Sequence, residues 1–139
     1  MIIASIIVIL LLLLLIAGVY AFCAYVMYRV GDKFRIGSLR DYMIPIYNIV
    51  LLCDCAKITR LTAAGIIIPA SAASLISLCC GDGVGSNIGI ISLVCWVYLW
   101  GSIAEKLGKN FWLWGLASVL FGGIPVLFMA FDESMPKYE

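Results

Sequence analysis

Four stretches of this chain, residues 2–28, 61–80, 88–104 and 111–131, run for 27, 20, 17 and 21 residues without a charged side chain. An apolar run of about 20 residues is the length of a helix that crosses a hydrocarbon core of about 30 Å. Hydrophobic residues make up 65% of the chain and charged ones only 12%, against roughly 25% charged in a soluble domain. A water-soluble domain of this size leaves too much surface in solvent to hide that apolar content. The expected fold is therefore all-α: a polytopic membrane protein with four transmembrane helices and a single membrane domain over residues 1–139. The bilayer is its first partner.

Charge placement gives an expected orientation, because Lys and Arg are retained on the cytoplasmic side. With the N-terminus outside, the cytoplasmic segments hold Arg29, Lys33, Arg35, Arg40, Lys57, Arg60, Lys106 and Lys109, eight of the nine basic residues. Lys137 stays outside with Asp82, Asp132, Glu133 and Glu139, so both termini are predicted to be external. The first run has no early basic residue and is longer than the roughly 7–15 apolar residues of a secretory signal, so it reads as an uncleaved span. A net charge of +1 leaves no basic footprint for nucleic acid.

Between the first two runs, Tyr42 to Cys53 forms a twelve-residue apolar stretch flanked by Arg40, Asp41, Asp54, Lys57 and Arg60. Twelve residues do not cross; such a stretch is interfacial or re-entrant. Pro45 disfavours helix at Ile44 and can open one after it, which predicts a short helix from about Ile46 to Ile58 within an interfacial segment of about 42–58. Tyr47 and Asn48 stand at its start, where an amide next to hydrocarbon needs partners, and Asn48 is expected to cap or brace the turn.

Three segments carry a resemblance: Ile44-Pro45-Ile46-Tyr47-Asn48, the turn from Ile103 through Glu105, Lys106, Gly108 and Lys109 to Phe111, and the last run with Gly123, Pro125 and Asp132 followed by Tyr138. Over about residues 40 to 138 the chain resembles a family of small bacterial integral membrane proteins known as a domain of unknown function, some members of which are joined to signal peptidase I. The resemblance implies a bacterial cytoplasmic (inner) membrane protein of several spans and implies no activity. The chain departs from the family at Ala56-Lys57-Ile58-Thr59-Arg60, where a glycine-containing basic turn is expected.

Helix association in lipid depends on close packing of small residues. The second run offers the pairs Ala70/Ser74 and Ala73/Ser77, and the fourth offers Ser118/Gly122 and the Gly122–Gly123 step before Pro125. Pro69 and Pro125 are expected to kink their spans. Glu105, Lys106, Gly108 and Lys109 form the expected tight turn between the third and fourth spans, with Gly108 as the helix stop. Trp96, Tyr98, Trp100, Phe111, Trp112 and Trp114 read as an aromatic belt, or in part as a docking surface.

Candidate chemistry is sparse. There is no histidine, and no nucleophile–base pair, carboxylate pair or metal set assembles from the sequence. Cys53 and Cys55 form a lone C-x-C, a weak metal signal. Cys79 and Cys80 precede a glycine-rich turn, Gly81 to Asn87, expected to be flexible. No cofactor is expected. The resulting expectation is a non-enzymatic accessory or assembly subunit that binds other membrane proteins or itself. An oligomeric channel or small-solute transporter component is the alternative, and an immunity or exclusion protein the third.

Overall fold

The computed structural model describes the backbone of residues 2–80 and 82–136 and the side chains of 3–78 and 89–136. Among the described residues seven helices follow one another: α1 Ile2–Lys33, α2 Leu39–Tyr42, α3 Tyr47–Ala56, α4 Leu61–Cys80, α5 Asp82–Lys106, α6 Phe111–Leu120 and α7 Ile124–Phe131. No strand occurs among these residues, so the all-helical expectation holds. Among them two helices, α1 and α4, are long and apolar enough to cross a membrane. The helix α5 begins at Asp82, inside the segment expected to be a glycine-rich turn, and runs 25 residues. The side chains of Cys79, Cys80 and 82–88 lie outside the described ones, as do Gly81, Lys137 and Tyr138.

The core sits at one end of the molecule. Val26 and Val30 near the end of α1, Tyr42, Leu52 and Cys53 of α2 and α3, Ala63 and Ile66 at the start of α4, Leu99 and Ile103 near the end of α5, and Met129 of α7 form one buried cluster. Its centre is α3, which packs on α1, α2, α4 and α5. Tyr42 is fully buried, sets its ring edge-on to Tyr28 at 6.1 Å and donates from its hydroxyl to the Ile36 carbonyl at 3.2 Å. It lies so close to α1 that a Cβ on Gly31 would fall 1.9 Å from the hydroxyl oxygen. Glycine at 31 is what lets α2 lie on α1.

The connection between α1 and α4 folds back into this core. Arg35 at φ 56° and Gly37 at φ 77° end α1 in left-handed turns. Asp41 then accepts from both the amide and the hydroxyl of Ser38 at 2.8 Å, bonds that hold its carboxyl below the ordinary carboxylate range. Met43 reaches α1 far from its end, where the Tyr20 hydroxyl donates to the Met43 carbonyl at 3.0 Å. Tyr20 lies 13 residues before Lys33, a distance along the helix of about 20 Å. The segment thus folds back along the side of α1.

The last apolar run departs from expectation. Residues 111–131 are two short helices, α6 of 10 residues and α7 of 8, joined at Phe121–Gly123. Gly122 and Gly123 both take positive φ, 58° and 88°, conformations that L side chains rarely adopt. The turn satisfies its own backbone: Phe121 N–H donates to Ala117 at 2.9 Å, Gly123 to Ser118 at 2.9 Å and Ile124 to Phe121 at 3.2 Å. Asp132, just past α7, meets Lys109, just before α6, at 2.5 Å. Both ends of the run therefore lie together, and the expected fourth span is a helical hairpin. Pro125 sits in the first turn of α7, where its missing N–H is tolerated, rather than kinking one long helix. The helix α4, by contrast, continues through Pro69.

Candidate functional site

The end of the molecule that holds the core also holds its organised charge. Lys109 is placed by the α5–α6 turn, where Gly108 takes φ 76° and the Lys109 amide donates back to Ala104 at 2.8 Å. Asn110 caps α6, accepting from the Leu113 amide at 3.2 Å; a reading for an amide cap before the aromatic run would have found it. Lys109 Nζ stands 4.6 Å above the Trp114 ring while it bonds Asp132. That bond holds the Asp132 carboxyl below the ordinary carboxylate range. From the other side, Lys33 Nζ donates to the Asp132 carbonyl and approaches Ser134 Oγ at 3.5 Å. One turn up α1, the Arg29 guanidinium lies 5.6 Å over the Phe131 ring. Arg29 and Lys33 from α1 and Lys109 from the α5–α6 turn thus converge on the end of α7.

The expected site residues divide. Glu105, exposed, and Lys106, half-buried, sit at the end of α5 beside the Gly108 stop. Pro45, Tyr47 and Asn48 form the tip of the folded-back connection. The Tyr47 amide donates to the Pro45 carbonyl at 2.9 Å across Ile46, which takes φ 74° and ψ −52°. That is a strained γ-turn with a branched residue at its centre. Ile46, not Asn48, is the cap of α3, so the expected capping role is corrected; Asn48 is buried in the first turn of the helix. Ile44, Ile46 and Tyr47 point outward from the tip.

The small-residue seams are used differently along α4. Gly65 faces α5, where an added Cβ would come 2.9 Å from Cys95 Sγ, and Ser92 Oγ donates across to the Ile66 carbonyl at 2.8 Å. Further along, Ala73 and Ser77 are half-buried, whereas Ala70 and Ser74 are exposed. Ser118 is buried and bonds the Trp114 carbonyl of its own helix at 2.7 Å; Gly122 and Gly123 serve the hairpin turn. Gly115 is the close-approach residue that the seam reading missed. A Cβ there would meet the Val97 carbonyl oxygen at 2.8 Å.

Other candidate chemistry is thin. Asp54 pairs with Arg60 in a two-point bond at 3.1 Å, not with Lys57. Cys53 and Cys55 are buried and Cys23 is exposed, and no group of three or more metal-ligating side chains occurs among the described residues. An apolar cleft of about 500 Å³ lies between α1, α5 and the hairpin tip, lined in part by Phe22, Met27, Trp96, Val119 and Leu127. Compared with family models, curated proteins and solved structures, the chain matches none.

Proposed function

We propose that the chain is an integral membrane protein that works by binding other membrane helices, as an accessory or assembly subunit or in a homo-oligomer. In this reading α1, α4 and α5 cross the bilayer, while the α2–α3 connection and the α6–α7 hairpin dip into one leaflet and return. The N-terminus and the end of α7 then face opposite sides, with the basic residues of the connections on the cytoplasmic side by the positive-inside rule.

The observation that carries the binding role is the exposed apolar first half of α1. Every residue from Ile3 to Tyr20 is exposed, and the packing of α1 against α2, α3 and α7 comes from its other half. The apolar cleft at Phe22 and Met27 opens directly beside this bare stretch. The exposed Ala70/Ser74 pair on α4 offers a second smooth face, suited to close approach by another backbone.

The expected result on native gels in mild detergent is a discrete assembly heavier than the 15.2 kDa chain. It should weaken on Ala70→Leu with Ser74→Leu. A chain that runs as a monomer from native membranes, with and without cross-linking, would end this reading. Topology is tested separately: a cysteine at exposed Met135 should label from the same side as one at Lys109. Labelling from opposite sides would restore a fourth crossing.

A second reading, an oligomeric path for a small solute, draws on the hairpin itself, because half-helices ending at mid-membrane line such paths in transporters. Flux in reconstituted liposomes tests it.

A further inference from the structure

Three cations gather at the end of α7 against one directly bonded carboxylate. Arg29 and Lys33 are one turn apart on the same face of α1, and Lys109 closes the group from the α5–α6 turn. Asp132 takes Lys109 on its side chain and Lys33 on its carbonyl. Glu133 beside it is exposed; with both acids counted, the group keeps a net positive charge. The Arg29 Nε is buried and is the one side-chain N or O atom among the described residues that is buried without a hydrogen-bond partner. A buried guanidinium nitrogen without an acceptor is costly, which favours a counter-anion close to the exposed end of the same guanidinium.

An apolar groove starts at the same place. A hollow of about 440 Å³ between α6 and α7 is lined by Trp114, Leu127, Phe128, Phe131 and Asp132. A second, of about 280 Å³, shares Trp114 and Phe128 with it and continues to Phe121 and Ile124 at the hairpin tip. Ten residues of α6 measure about 15 Å, half of a hydrocarbon core of about 30 Å. The groove therefore has the depth of one leaflet, with cations at its headgroup end and only apolar side chains beyond.

We propose that this is a binding site for an anionic phospholipid of the basic-side leaflet. Its phosphate sits among the charged ends of Arg29, Lys33 and Lys109, and one acyl chain lies along the α6–α7 groove. The proposal rests on the membrane reading above, and the test below separates the two. Charge complementarity selects the headgroup: each Lys or Arg near a membrane surface contributes about five-fold to the affinity for an anionic lipid.

The test is native mass spectrometry of the purified chain in neutral detergent with equimolar phosphatidylglycerol and phosphatidylcholine of identical acyl chains. The wild type should retain phosphatidylglycerol at least five-fold over phosphatidylcholine, and Arg29→Gln with Lys33→Gln should bring the two level. Equal retention by the wild type, or a preference unmoved by the double substitution, would overturn the proposal. So would displacement of phosphatidylglycerol by millimolar inorganic phosphate, which would mark a site for a soluble anion. Lys109 is left intact because it ties the hairpin; should the double variant not fold, the wild-type competition decides alone. A chain that fails to co-sediment with membranes at all would sink the membrane reading instead.

Discussion

The two halves of α1 share a helix and little else. From Ala24 to Gly31 it contributes buried Ala24, Val26 and Val30 and receives the Tyr42 ring against Gly31; from Ile3 to Tyr20 every residue is exposed. From Ile6 to Ile16 the first half is Ile, Leu and Val throughout, and only Tyr20 at its end bonds the α2–α3 connection. The buried residues of α1 all lie in the second half. In a bilayer, apolarity places a helix but does not dock it; docking needs a residue small enough to be approached.

Breaking the packed half has the largest expected effect. Tyr42→Ala removes a fully buried ring and its bond to Ile36, and should cost about 3–5 kcal/mol, read as a lower unfolding midpoint in mixed micelles. Gly115→Ala pushes a Cβ against the Val97 carbonyl of α5, and about 1–3 kcal/mol is expected from that overpacking; a melt unchanged from wild type would show that α6 does not lie on α5 as described.

A third change concerns the Lys109–Asp132 tie. The folded Asp132 pKa lies below its unfolded value of about 3.9, so the tie contributes fully above that pH. Its contribution is lost as pH falls through the folded pKa. Tryptophan emission should shift in acid as Lys109 leaves the Trp114 ring, and Lys109→Gln should abolish that step. The smallest effect belongs to the bare half. Leu11→Ala should alter the stability of the isolated chain by no more than about 0.5 kcal/mol, and a loss comparable to that of Tyr42→Ala would mean that α1 is covered along its length.

Long apolar helices were legible because a run of such length without charge has few other uses. The expected second run, residues 61–80, coincides with α4, and the short helix expected from about Ile46 to Ile58 is α3, Tyr47–Ala56. The Gly108 stop was legible for the same local reason, a glycine after the last apolar residue of a helix. The hairpin was not. Twenty-one uncharged residues fit one crossing as well as two half-crossings, and length does not distinguish them. The acids and single lysine after Phe131 gave the charge rule little to act on. The available signal was the Gly122–Gly123 pair near mid-run, which fits a reversal better than a kink. The charge cluster at Asp132 was hidden too, because it depends on which ends meet and not on any local motif.

The hairpin and the folded-back connection also give the molecule a taper. Helices α3, α6 and α7 share one end with α1, α4 and α5, while the other end is left to α1, α4 and α5. Placed in a bilayer, such a body takes more lateral area from the basic-side leaflet than from its opposite.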